Sequence, residues 1–214
     1  VSSVLGVRAA MTAVTLTASF ASFYGNGLTV TGDIPGFLFL IWGLFFLIKP
    51  NYFLTGLFFA LAGVSKPSIY LLLFPTLLIF FLLERKDFII KLFKFSFGAI
   101  PPFFVWILFV FPNPLSASTW RTVFLFYKNP YGSFSIWSNI YQNIILFYSH
   151  STILYFIALT FAIIYWFYVK GRFNKLSKKF TLFFFIYGVF VFLYFLKSPG
   201  WIRYLIGFQF LSFI

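Results

Sequence analysis

The feature that most constrains this chain is a succession of long apolar runs separated by short polar breaks. A bilayer core about 30 Å thick is crossed by roughly 20 apolar residues in a helix, and by fewer where helices pack among others. Eight stretches qualify as spans: 4–24, 34–48, 52–64, 68–83, 92–111, 143–169, 180–196 and 201–214. The first is rich in Ser, Thr and Ala, which suits packing against other helices more than against lipid. The second and third are separated only by Lys49, Pro50 and Asn51 and predict a tight helical hairpin. Pro101 and Pro102 predict a kink in the fifth. The segment 112–142 is too polar and broken to span. Its mixture of Trp, Tyr, Asn, Ser and Gly predicts an irregular or short amphipathic outer element, serving as an aromatic anchor or as a sugar-binding surface. The expected fold is therefore all-α, a polytopic transmembrane helical bundle of about seven to eight spans. It forms a single transmembrane domain over 1–214. The opening at Val1 and the stop at Ile214 inside an apolar run read as an internal fragment, incomplete at both ends.

Composition narrows the chemistry. The 214 residues are 62% hydrophobic and 27% aromatic, and the charged share of 9% falls far below the soluble average of about 25%, which excludes an ordinary water-soluble globule. The absence of Cys rules out disulfides, thiolate zinc sites and a cysteine nucleophile, and one His cannot build a poly-His metal cluster. The net charge of +13 does not form a nucleic-acid surface, because the basic residues sit in short clusters between apolar runs. If the spans alternate, Arg8, Lys49, the 85–94 cluster and the 170–179 cluster share one side with 11 of the 16 Lys and Arg residues. That side is expected to be cytoplasmic. Asp33, Lys66, the 112–142 segment and the turn from Lys197 to Arg203 then share the other face. The expected location is an integral, multi-pass protein of the cell or cytoplasmic membrane.

Few side chains here can do chemistry. Asp33 lies in FYGNGLTVTGDIPGF, before an apolar helix that opens with Ile34 and Pro35. It reads both as a helix cap and as a general base, a hydroxyl-orienting group or a divalent-metal partner. Lys66 in LAGVSKPSIY reads as a snorkelling lysine or as a phosphate partner at the membrane surface. Arg203 in SPGWIRYLIG, slightly inside an apolar run, is costly without an anion and suits a phosphate or pyrophosphate. Tyr204 and Trp201 beside it are interfacial residues or part of the same site. Arg121 in the outer segment is a weaker candidate, as is His150 near the start of the sixth span, which reads as a metal ligand or proton carrier or as a hydrogen-bonded helix residue. Glu84 and Asp87 fall in an ERKD turn and read as solvated loop charges paired with Arg85 and Lys86. No Walker loop, dinucleotide fingerprint, HExxH or GxSxG is present.

The order of features resembles a known family. An Asp-x-Pro helix start (TGDIPGFLFLIWGLFF) is followed by a short Gly- and Ala-bearing segment ending in Lys-Pro (LTGLFFALAGVSKPSIYLLLFP). A basic turn, a proline-bearing span and an Arg-Tyr-Leu helix start (WIRYLIGF) follow. This is similar to the middle of a polytopic glycosyltransferase with the C-type membrane fold, as in protein mannosyltransferases and lipid A aminoarabinose transferases. The resemblance covers 24–83 and the surroundings of Arg203, and it departs at Gly207, where the family often carries Pro. It implies transfer of a sugar from a polyprenyl-phosphate donor to an acceptor, unidentified here, on the non-cytoplasmic face. It aligns Asp33 with the family's second acidic position, Lys66 with the lysine ending the short helix, and Arg203 with Tyr204 as the late Arg-Tyr pair. It puts the first acidic loop, with the principal catalytic carboxylate, before Val1. A divalent metal is the one cofactor it leaves room for; the partners are the lipid-linked donor and membrane lipids, with no nucleic acid. The competing expectation is a transporter or flippase of lipid-linked sugars, whose charges line a path rather than an external site.

Overall fold

The computed structural model describes Met11 and residues 33–110, 113–128, 136–149 and 175–198. All secondary structure among these residues is helical: α1 (Asp33–Ile48), α2 (Tyr52–Ser65), α3 (Pro67–Tyr70), α4 (Leu73–Glu84), α5 (Phe88–Val110), α6 (Ala117–Lys128), α7 (Ile136–Ser149) and α8 (Lys175–Lys197). Two stretches, Pro67–Glu84 and Phe88–Val110, are long and apolar enough to cross a membrane. Ile34–Ile48, Tyr52–Ser65 and Leu182–Lys197 are apolar but shorter. The chain divides into two compact units, one of residues 31–135 and one of residues 1–30 with 136–214.

In the first unit, α1 and α2 form the expected hairpin. Pro50 lacks the N–H a continuing helix would need, and the Asn51 side chain accepts the Leu54 amide at 3.2 Å, capping α2. Trp42 and Phe46 of α1 stack on Phe58 of α2, with ring centroids 6.0 and 5.4 Å away. Gly43 sits directly on the Phe59 ring, where no side chain would fit. At the far end, Pro67 bars Lys66 from helical geometry, so α2 stops there with Lys66 at φ −146° and ψ 83°. Pro67 then occupies the first turn of α3, where its missing N–H costs nothing.

The expected single span 68–83 is divided at Leu71 and Leu72. Pro75 explains the division. It has no N–H to offer the Leu71 carbonyl four residues back, and its ring crowds that carbonyl. Both leucines keep right-handed dihedrals, so α3 and α4 follow one another with little change of course. The fifth span begins at Phe88, four residues before the expected start, and runs through Pro101 and Pro102 as one helical segment. Its 23 residues measure about 34 Å along the axis.

The α2–α5 contact is made backbone to backbone. Gly56 backs onto the Phe95 carbonyl and Gly98 onto the Phe53 carbonyl, so a Cβ at either position would overlap main chain. Ala60, one turn after Gly56 on α2, and Ala99 of α5 are also buried, small residues that let the two axes approach closely. Tyr52 lies beside Lys91 and Gly63 beside Phe103, so the two helices run in the same direction.

These contacts define two ends. At one lie the 49–51 turn, the end of α4 and the start of α5, joined by Tyr52 packing on Phe81 with centroids 5.5 Å apart and by the Lys91 amine 5.7 Å from the Tyr52 ring. At the other lie the start of α1, the Lys66 break and the end of α5, joined by Gly36 against Tyr70 and by Gly63 against Leu71 and Phe103.

In the second unit, α7 begins at Ile136, seven residues before the expected 143, so this helix reaches back into the segment read as irregular or amphipathic. α8 buries Phe183, Tyr187, Val191 and Phe195, four residues apart on one stripe.

Candidate functional site

The helix that Asp33 opens begins at Asp33 itself, one residue earlier than a cap would place it. Three residues on, Gly36 meets the Tyr70 ring, and Tyr70 lies four residues after Lys66. The Asp33 helix start and the Lys66 break therefore share one end of the first unit. Around Lys66 the backbone is well satisfied. Its N–H donates to the Ala62 carbonyl at 3.1 Å, and its carbonyl accepts from Ile69 and Tyr70 at 3.2 and 3.1 Å. The Ser65 hydroxyl turns back to the Leu61 carbonyl at 2.8 Å. The break is thus held by hydrogen bonds and a proline, which fixes where the half-buried Lys66 side chain leaves the main chain.

Arg121 is exposed on α6, the helix that follows the same end of α5. An Asn113 turn introduces α6: the Asn113 side chain accepts the Leu115 amide at 3.3 Å, and the Trp120 indole donates to the Pro114 carbonyl at 2.7 Å. A short helix in this segment is one of the two forms expected there. His150, Arg203 and Tyr204 lie outside the described residues. Among the described residues, no group of three or more His, Cys, Asp or Glu side chains comes together as a metal site.

The opposite end corrects the reading of Glu84. Instead of a solvated loop charge paired within the turn, Glu84 accepts a 2.7 Å hydrogen bond from Lys91, seven residues on, with each side chain only 10% exposed. The 85–87 turn is tight enough to allow this because Arg85 and Asp87 adopt left-handed dihedrals, with φ 53° and 54°. The Lys91 amine also lies over the Tyr52 ring. The sequence carried a signal for this pair, since helices joined by a three-residue reversal bring the last residue of one beside the first turn of the next. Asp87 stays exposed, as expected.

A second unforeseen cluster ties α7 to α8. The buried Asn143 amide points at the carbonyls of Phe195 and Leu196, at 3.0 and 2.9 Å, and at that of Ser198. Asn139 donates to the Lys197 carbonyl at 3.2 Å. The last carbonyls of a helix have no donors within it, and away from water each needs one. Two Asn side chains from a neighbouring helix supply them. The result is a firm C-terminal end for α8, six residues before Arg203 in sequence.

No protein-family model, curated protein or solved structure matches this chain.

Proposed function

We propose that this chain is a multi-pass membrane glycosyltransferase, moving a sugar from a polyprenyl-phosphate donor to an acceptor on the non-cytoplasmic face. The observation that supports it most is the shared end of the Asp33 helix start and the Lys66 break, opposite the end that carries Lys49, Arg85, Lys86, Lys91 and Lys94. Under the positive-inside rule the basic end is cytoplasmic and the Asp33 end is not. Two span-grade helices in the same unit are consistent with that placement.

On this reading the acceptor hydroxyl gives its proton to a carboxylate as its oxygen bonds to the anomeric carbon of the sugar. The bond from that carbon to the phosphate oxygen breaks, and polyprenyl phosphate leaves. Asp33 serves as base or as metal partner, and Lys66 holds the lipid phosphate as its charge develops. The resemblance names Arg203 and Tyr204 as further candidates for the lipid phosphate, with Arg121 and His150 as weaker ones.

The test uses full-length protein in membranes with a radiolabelled polyprenyl-phosphate sugar. Asp33→Asn is expected to reduce transfer by about a hundredfold or more while insertion is unchanged, the scale of losing a positioned acid–base group. Unchanged transfer removes Asp33 from the site. Passage of the intact lipid-linked sugar across the bilayer, without cleavage, replaces this reading with the transporter.

A further inference from the structure

Tyr70 is tied to both groups that share the Asp33 end. Its amide donates to the Lys66 carbonyl at 3.1 Å. Its ring lies against the backbone of Gly36, where any Cβ would overlap the ring atoms Cε2 and Cδ2. Gly36 stands three residues after Asp33 and Tyr70 four after Lys66, so this contact is about one helical turn from each. Other features fix each group by itself. Pro67 and the hydrogen bonds to Ala62 and Ile69 hold the Lys66 main chain. Gly36, Leu40 and Leu44 are buried at a spacing of four, which sets how α1 is turned about its own axis. Neither sets how far the start of α1 stands from the Lys66 break; the Tyr70 ring on Gly36 does. The ring is fully buried and cannot swing into solvent, and the glycine brings the α1 backbone into direct contact with it.

We infer that Tyr70 is a positioning residue, whose ring sets the separation of Asp33 and Lys66. The inference rests on the sugar-transfer reading above. There the carboxylate takes the proton of the acceptor oxygen while Lys66 holds the departing phosphate, and both of those oxygens are bonded to one anomeric carbon in the transition state. The reacting centre therefore dictates the distance between the two protein groups, and an error of about 1 Å costs on the order of a hundredfold in rate. Tyr70 itself is fully buried and acts through the two elements it spaces.

The experiment compares Tyr70→Leu, Gly36→Ala and Tyr70→Phe in the full-length protein in membranes. Transfer from a radiolabelled polyprenyl-phosphate sugar is divided by the folded fraction from size-exclusion fluorescence. Tyr70→Leu keeps most of the apolar volume but loses the ring, and Gly36→Ala displaces the ring with one methyl. Both should lower kcat on the order of a hundredfold with little change in KM for the donor, since the Lys66 break keeps its own hydrogen bonds. Tyr70→Phe keeps ring and amide and should restore kcat to within about twofold. A second readout needs no transfer. Asp33→Cys and Lys66→Cys are introduced together, the 214 residues holding no other Cys, and bifunctional maleimides of increasing length report the separation. Tyr70→Leu should shift the shortest reagent that joins the pair, and Tyr70→Phe should not. Parental kcat in Tyr70→Leu, or an unshifted reagent length, overturns the inference. So does a loss in Tyr70→Phe as large as in Tyr70→Leu, which hands the role to the hydroxyl. A parent protein that transfers no sugar is a failure of the sugar-transfer reading, and the crosslink then decides whether Tyr70 spaces the two positions.

Discussion

Gly98→Ala is expected to destabilise the first unit by about 3 kcal/mol or more, the upper end of what overpacking costs. The reason is the nature of the obstacle. A Cβ at Gly98 meets the Phe53 carbonyl and the Leu57 amide, and one at Gly56 meets the Phe95 carbonyl, all main-chain atoms that no rotamer change can move aside. Relief requires α2 and α5 to separate along their contact, which also gives up the packing around Ala60 and Ala99. Gly63→Ala is the internal control. A Cβ there comes no closer than 3.3 Å, to a Leu71 side-chain carbon, and that side chain can shift. Melting of the detergent-solubilised protein, followed by size-exclusion fluorescence, should show a large loss for Gly56→Ala and Gly98→Ala and a small change for Gly63→Ala. Equal melting of all three would show that α2 and α5 are not in backbone contact.

Breaking the Glu84–Lys91 pair one residue at a time is expected to cost about 1–3 kcal/mol, because each single change removes a short charge-assisted hydrogen bond from a side chain that is only 10% exposed. Replacing both together, as Glu84→Gln with Lys91→Met, should recover most of that loss. The sign of this coupling separates a buried pair from a surface one. A solvated pair contributes at most about 1 kcal/mol, and its two single variants would melt like the parent. The same unfolding measurement on the two singles and the double completes the cycle.

The hairpin of α1 and α2 was legible because its signals are local: Pro50 stops one helix and Asn51 caps the next. Pro67 likewise announced the Lys66 break. The division at Leu71 and Leu72 was also written in the sequence, in Pro75, but a proline counts against the residue four positions earlier rather than against its own. The early starts of α5 and α7 were hidden for a different reason. Lys91 and Asn143 look like residues that end an apolar run, and each is instead satisfied by a partner from elsewhere: Glu84 across a turn, and the carbonyls closing α8. Those partners are set by tertiary contact, which hydropathy does not report. Of the candidate site, the common end of Asp33 and Lys66 followed from simple alternation of spans and agrees with the contacts around Gly36 and Tyr70. The α2–α5 glycine contact had only a faint trace, in the Gly56, Ala60 and Gly63 spacing, since its other half lies forty residues away in α5.

On the proposed reading, the two ends of the first unit face opposite sides of a membrane. Because these 214 residues contain no Cys, single cysteines can be introduced one at a time and labelled in sealed vesicles of known orientation with an impermeant maleimide. Lys49→Cys, Lys86→Cys and Leu115→Cys are all at exposed positions; the first two lie at the basic end, and the third follows the far end of α5. The predicted result is that Lys49→Cys and Lys86→Cys are labelled from the cytoplasmic side only and Leu115→Cys from the opposite side only. Labelling of all three from the same side would contradict the account.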